Sequence, residues 1–156
     1  MSMRRLLPLL ILGAGLSHVV VAAPPCKTPE DLRVAFETCL KTGDTNQYWK
    51  LHCWTNVSRS DETMHKSLTV GSVALPAGEK LLRCKTTIGP PLKQSNTPRP
   101  VKKAGFLKPN IPVTGVIGFS QVFSTFVVES FVEFGKGPDG NYWLVVPILV
   151  PNAKKP

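Results

Sequence analysis

The first strong pattern in the chain is helical and lies between residues 28 and 43. Apolar residues recur at i, i+3, i+4, i+7 and i+8, which places them on one side of an α-helix. These residues are Leu32, Ala35, Phe36, Cys39 and Leu40. Thr28 suits the N-cap, Pro29 the first helical position, and Gly43 the end. The sequence therefore predicts a helix from about Pro29 to Thr42, with one apolar face that packs on another element.

Three β-prone segments follow this helix. Tyr48–Val57 is rich in aromatic and β-branched residues, and its alternate positions share an apolar character. Thr63–Leu75 and Lys80–Ile88 are the next two candidates, separated by the turn residues 76–78. This pattern predicts an antiparallel meander against which the helix packs.

The last apolar segment, residues 113–150, contains no cysteine. A turn-rich stretch, Gly135–Asn141, separates two β-prone runs and predicts a C-terminal β-hairpin. Residues 119–134 also fit helical spacing, but their density of valine, threonine and phenylalanine favours strand. Residues 109–128 are uncharged, yet Pro112 and several polar residues interrupt them, so we expect no stable membrane span.

Together these elements predict a mixed α+β domain. One N-terminal helix packs on an antiparallel sheet, which consists of the meander and the C-terminal hairpin, and disulfides staple the first half. The alternative is a small up-and-down β-barrel that closes around a cavity. Along the chain we expect a signal peptide at 1–22, a helix and sheet portion at 23–88, a loop at 89–112, the hairpin portion at 113–151 and a basic tail at 152–156.

The loop at 89–112 combines prolines with positive charge. It contains six prolines, which disfavour regular strand pairing and predict an extended, solvated segment. The chain has 19 Lys and Arg against 10 Asp and Glu, a net charge of +9, and no acidic residue lies between Lys80 and Val128. We expect the basic residues here to form a binding surface. They are Arg83, Lys85, Lys93, Arg99, Lys102, Lys103 and Lys108.

The N-terminal residues predict export. A short basic start, an apolar run from Leu6 to Val21 and small residues at 22 and 23 are typical of a cleaved signal peptide. The sequon Asn56-Val57-Ser58 then predicts an N-linked glycan on an exposed Asn56. We therefore expect a secreted, extracellular glycoprotein.

Four cysteines in an exported chain predict two disulfides. A helix over residues 28–42 would hold Cys26 about 20 Å from its far end, which disfavours a bond from Cys26 to Cys39. A strand returning antiparallel from residue 47 would bring Cys53 level with Cys26. We therefore predict the pairs Cys26–Cys53 and Cys39–Cys84.

No catalytic signature is recognisable in the sequence. After the predicted signal peptide only His52 and His65 remain as histidines, and each is expected to be a half-exposed strand residue. The cysteines are separated by 13, 14 and 31 positions, unlike the close pairs of zinc sites. We expect no enzymatic activity, no cofactor and no metal.

These features predict a binding or inhibitory protein that acts on an extracellular macromolecule through its basic surface. The expected partner is an acidic protein or a sulfated glycan, and export argues against nucleic acid. The alternative is a carrier that holds a small apolar ligand in a barrel pocket. The aromatic residues proposed to line that pocket are Tyr48, Trp49, Trp54, Tyr142 and Trp143.

Overall fold

The structure, a computed structural model, describes residues 25–102 and 104–151. The predicted signal peptide, Lys103 and the predicted tail lie outside the described residues. The helices are α1 (Pro29–Thr42), α2 (Thr45–Lys50) and α3 (Arg59–Thr69), and a 3-10 turn, Val70–Ser72, follows α3. The strands are β1 (Leu81–Gly89), β2 (Arg99–Val101), β3 (Gly105–Pro109), β4 (Gly115–Phe123), β5 (Val127–Lys136), β6 (Tyr142–Leu144) and β7 (Pro147–Pro151). The described chain is thus mixed α+β, with antiparallel sheets.

Helix α1 has the bounds that the sequence predicts. The Thr28 hydroxyl accepts a hydrogen bond from the Asp31 amide, and the Asp31 carboxylate accepts one from the Thr28 amide, which forms a capping box. Gly43 ends the helix at a φ of 69°, the left-handed conformation that glycine adopts without strain. The prediction of this helix is confirmed.

Two of the predicted strands are wrong, because local capping produces helices there. The Asp44 carboxylate accepts from the Gln47 amide at 2.9 Å and starts α2, whose end at Lys50 overlaps the start of the predicted strand Tyr48–Val57. The Ser58 hydroxyl accepts from the Asp61 amide at 3.1 Å and starts α3, which replaces most of the predicted strand at 63–75. The premise of the disulfide prediction, a strand returning from residue 47, is therefore also wrong.

The main sheet has the strand order β1-β4-β5-β6, and all neighbouring strands are antiparallel. Strand β1 confirms the third predicted strand, and the β4–β5 hairpin confirms strand over helix for residues 119–134. Odd-numbered residues of β4 are buried, so this strand directs alternate side chains towards the core.

The segment at 89–112 is not one extended loop. It contains β2 and β3, which form a second sheet with β7 in the order β2-β3-β7. Asn96 fixes the segment before these strands, since its side chain both donates to and accepts from the backbone of Val113. Both sheets are open in the described chain, so the alternative of a closed β-barrel is wrong.

The main core lies between α1 and the inner face of the first sheet. The rings of Phe36 and Phe119 meet edge to face with centroids 5.6 Å apart. Buried Gln121 donates to the carbonyl of Leu40 at 3.2 Å, which attaches β4 to the end of α1. This packing holds α1 in place and leaves α2, α3 and β6 to build a separate site.

Candidate ligand-binding site

A cleft of about 870 Å³ lies where α2, α3 and the β5–β6 turn meet. All three tryptophans of the chain, Trp49, Trp54 and Trp143, line it. The volume is within the range of small-ligand sites in proteins. One wall comes from α2 and the segment that follows it, and the opposite wall comes from the β5–β6 turn and β6.

Backbone hydrogen bonds bring the two walls together. Leu144 of β6 donates to the carbonyl of Leu51 at 2.8 Å, and Cys53 donates to the carbonyl of Leu144 at 3.0 Å. Residues 51–53 thus run beside β6, and His52 forms a parallel bridge with Leu144. The strand that carries Trp143 is therefore fixed against the segment that carries Trp54.

The side chain of Asn110 secures the floor of the cleft. Its amide nitrogen donates to the carbonyls of Cys53 and Thr55, at 2.6 and 3.1 Å. Its amide oxygen accepts from the backbone of Val146 at 2.9 Å. One side chain therefore satisfies three backbone groups and connects the floor to the chain beyond β6.

The indole rings of Trp54 and Trp143 are held by their own N–H groups. Trp54 Nε1 donates to the carbonyl of Trp49 at 3.0 Å, and Trp143 Nε1 donates to the Asp139 carboxylate at 2.9 Å. A Cβ at Gly137 would lie 2.7 Å from the Trp143 ring, so glycine is required there for the ring to approach the turn. The rings are oriented before any ligand arrives.

Two buried histidines stand behind the tryptophans. His52 is 3% exposed and its ring stacks on Trp54, while its contact with His65 is edge to face, at 4.9 Å between centroids. The expectation of half-exposed residues is wrong for both, because the segment after α2 pairs with β6 and turns His52 inward, and α3 turns His65 inward. Burial lowers the pKa of His52 to about 3, with nearby His65 as the next cause, and burial also lowers the pKa of His65.

His52 is therefore neutral near pH 7, and its proton lies on Nδ1, which donates to the carbonyl of Tyr48 at 3.0 Å. Within the described residues, His65 Nε2 is buried without a hydrogen-bond partner. Both rings pack against Trp54, and His52 is itself part of the cleft lining.

Lysines and one carboxylate provide the charges of the cleft. Lys66 Nζ lies 5.1 Å from the centre of the Trp54 ring and 2.5 Å from Glu62 on the same helix. Lys50 also lines the cleft. Asp139 accepts from Trp143 and from the backbone and side chain of Asn141, and the bond from Trp143 is the main reason that its pKa is lowered.

The structure brings together only part of the aromatic set that the sequence suggested. Trp49, Trp54 and Trp143 share the cleft, and Trp49 also packs against the main core; Tyr48 is buried in that core, and Tyr142 packs against it outside the cleft. The shared site is an open cleft between helices and a turn, not the interior of a barrel. Sequence reasoning missed His52, Lys66 and Asp139 as its neighbours. The capping pattern at Ser58 was the available signal for Lys66.

The predicted basic surface is divided between the two sheets. Arg83 and Lys85 are exposed on β1, on the face opposite Thr86, which contacts α1. The other described members, Lys93, Arg99, Lys102 and Lys108, are exposed on the Pro-rich segment and the second sheet.

Strand β5 adds two carboxylates beside these basic residues. Glu129 lies opposite Ser120, itself the partner of Lys85, and Glu133 lies 3.7 Å from Arg99. The segment between Lys80 and Val128 has no acidic residue in its sequence, but Glu129 and Glu133 lie beside its basic residues in the fold.

The cysteines and the sequon lie close to these elements. Cys26 and Cys39 belong to the main core and partly buried Cys84 packs against it, whereas Cys53 packs in a smaller cluster with Val145. No S–S bond is present among the described residues, so disulfide stapling is not shown and the two pairs stay predictions. Asn56 is exposed between the cleft and α3, and its φ of 60° is one that asparagine tolerates.

The described helices include none that is long and apolar enough to cross a membrane. Among the described residues no group of three or more His, Cys, Asp or Glu is placed to hold a metal ion. Comparisons of the chain with protein-family models, with curated proteins and with solved structures give no match. The geometry of the site is therefore the basis for a functional proposal.

Proposed function

We propose that this chain is a secreted, non-enzymatic binding protein whose ligand lies in the tryptophan cleft. The observation that carries the proposal is that all three tryptophans line one cleft, with two indole N–H groups bonded to the protein itself. A large aromatic surface at the rim of a cleft is costly to leave in water unless a ligand covers it.

The fixed orientation of the rings supports binding rather than simple core packing. Trp49, Trp54 and Trp143 are each partly exposed, whereas the core aromatics Phe36 and Tyr48 are fully buried. Rings that are already ordered lose little conformational entropy when a ligand arrives. The cleft is thus prepared for a compact ligand with an apolar face.

The test uses 8-anilinonaphthalene-1-sulfonate, which has aromatic rings for the tryptophans and a sulfonate for the lysines. We expect one molecule to bind each chain and to quench tryptophan fluorescence. Trp143→Ala should abolish this binding, while Trp143→Phe keeps most of the packing and should bind weakly. Phe106→Ala is the matched control, because Phe106 is an exposed aromatic on β3 outside the cleft. Unchanged binding in Trp143→Ala would contradict the proposal.

A second candidate function is recognition of an acidic extracellular macromolecule through the basic surface, as a binder or an inhibitor. It is favoured by the exposure of Arg83 and Lys85 on one face of β1 and of four further basic residues on the Pro-rich segment and second sheet. Exposed clusters of Lys and Arg bind polyanions such as sulfated glycans in a salt-dependent way.

This candidate is tested by retention on immobilised heparin. Reversal of charge at Arg83 and Lys85 should lower the salt concentration needed for elution. Reversal at Lys27 and Lys41 on the α1 side is the control, since it changes the net charge by the same amount. Equal effects of the two double variants would show that only net charge matters and would reject a defined surface.

A further inference from the structure

We infer that the tryptophan cleft binds a sugar residue that carries an acidic group, a carboxylate or a sulfate. This inference rests on the proposed function of the cleft and specifies its ligand. It joins three observations: indole rings fixed in place, an open rim, and two lysines in the lining, one of them over an indole ring.

The ring faces suit the apolar side of a pyranose. The C–H groups on that side are weakly positive, and the face of an indole is negative, so the two stack favourably. The N–H groups of Trp54 and Trp143 are bonded to Trp49 and Asp139, so both rings are fixed. His52 stacks on Trp54 and Lys66 lies over it, so Trp143 is the ring whose face we expect the sugar to cover. Lys66 already lies over the Trp54 ring, so this face attracts positive groups in the unliganded protein.

The rim favours a ligand that keeps part of its surface in water. Thr55, Pro138 and Asp139 line the cleft and are exposed to solvent. A long aliphatic chain requires enclosure on all sides to leave water, whereas a sugar stacks on one face and keeps its other hydroxyl groups hydrated. The open shape therefore supports a sugar over a fatty chain.

The charges of the lining favour an acidic group. Lys50 and Lys66 line the cleft; Asp139 is the carboxylate of the lining, and its oxygens already accept bonds from Trp143 and Asn141, while Glu62 pairs with Lys66 from outside the lining. The Lys66 ammonium donates to Glu62 and has three N–H groups, so it can still donate to a ligand. The same lysines would repel a quaternary ammonium ligand, which otherwise suits tryptophan cages.

The experiment measures binding of two tetrasaccharides to the secreted full-length protein by calorimetry and tryptophan fluorescence. One contains glucuronic acid alternating with N-acetylglucosamine, and the other contains N-acetylglucosamine alone. We expect the acidic sugar to bind at least about tenfold more tightly, because a charge-assisted hydrogen bond contributes on the order of a tenfold change in affinity.

Two lysine variants separate the site from general charge. Lys66→Gln removes the cation over Trp54 and should weaken binding of the acidic sugar about tenfold, with little effect on the neutral one. Lys41→Gln is the matched control, since Lys41 pairs with Glu37 at 2.5 Å in the same i,i+4 arrangement but lies on α1. Circular dichroism of each variant reports whether the fold is kept.

Each outcome has a defined meaning. Tighter binding of the acidic sugar, lost in Trp143→Ala and weakened in Lys66→Gln alone, supports the inference. Equal binding of both sugars, or equal effects of the two lysine variants, overturns the acidic specificity. Binding of the anilinonaphthalene probe but of neither sugar overturns the inference and leaves the proposed function standing, whereas no binding of any of the three rejects both.

Discussion

Acidification from pH 7 to pH 5 is expected to destabilise the folded chain by about 2 kcal/mol through His52. Burial, with His65 as the next cause, lowers the pKa of His52 from 6.5 to about 3 in the folded state. Below pH 6.5 His52 therefore becomes protonated in the unfolded chain, whereas in the folded chain it stays neutral down to about pH 3. The contribution of neutral His52 is complete above pH 6.5 and falls as the pH decreases towards 3.

The magnitude follows from the width of this window. Each pH unit between the two pKa values changes the free energy of unfolding by about 1.4 kcal/mol, and pH 5 lies about 1.5 units below the unfolded pKa. His65 acts in the same direction, because burial also lowers its pKa. The value of about 2 kcal/mol is thus the share of His52 alone.

Urea unfolding followed by tryptophan fluorescence at pH 7 and pH 5 measures this difference. His52→Gln keeps a side-chain N–H for the Tyr48 carbonyl but cannot titrate, so its stability should change much less between the two pH values. The change in the free energy of unfolding between pH 7 and pH 5 is compared within each protein. The result therefore does not depend on how much the substitution itself destabilises the fold. A wild-type loss below about 0.5 kcal/mol would refute the reasoning.

Three further substitutions test other parts of the structure. Glu37→Gln should cost about 1–3 kcal/mol at pH 7, because the Glu37 carboxylate, whose pKa is lowered to about 2 chiefly by Lys41, also accepts from Thr86 of β1; thermal unfolding measures this loss. Asn56→Gly should remove the glycan that the sequon predicts, with little loss of stability, since glycine tolerates the positive φ. Asn56→Val should cost about 1–2 kcal/mol; mass spectrometry and urea unfolding report the two effects. Asn110→Ala should cost about 2–3 kcal/mol in urea unfolding and alter the near-ultraviolet circular dichroism of the tryptophans, because three backbone hydrogen bonds at the cleft floor lose their partner.

Helix α1, which the sequence predicts, and helix α3, which it does not, begin with almost the same capping pattern. Thr28 is followed three residues later by Asp31, and Ser58 is followed three residues later by Asp61; each pair forms a cap in the structure. The first was read correctly because a long apolar stripe supports it. The residues after Ser58 form no such stripe and include β-branched ones, so strand propensity outweighs the cap in the sequence pattern.

Helix α2 could not be found from periodicity. It has six residues, fewer than two turns, and a pattern of that length fits strand and helix equally. The Asp44 cap was visible but is also typical of a turn. The helical form of α2 determines which aromatic residue reaches the cleft, since it directs Tyr48 into the core and leaves Trp49 at the cleft.

The predicted hairpin around Gly135–Asn141 is present as β5 and β6, but over three residue pairs, and the sequence does not predict that β4 folds back on β5. The odd positions of β4 carry the larger apolar residues, so the sequence favours that face for burial but does not say which element covers it. The structure buries Ile117, Phe119 and Phe123 and leaves Phe131 of β5 half exposed. Pairing of β4 with β1 joins segments about 30 residues apart, and such long-range pairing depends on tertiary packing that no local pattern encodes.

The two candidate binding surfaces differ in how they should respond to salt, and this difference separates them without any mutation. The basic residues of β1 and of the second sheet are exposed, so their attraction to a polyanion is screened as the Debye length falls from about 8 Å at physiological salt to about 3 Å at 1 M. The tryptophan cleft combines a charge with ring stacking, and burial of apolar surface is not weakened by salt. We therefore expect a ligand of the cleft to keep most of its affinity at 1 M salt through the rings of Trp49, Trp54 and Trp143, and a partner of the basic surface to be released.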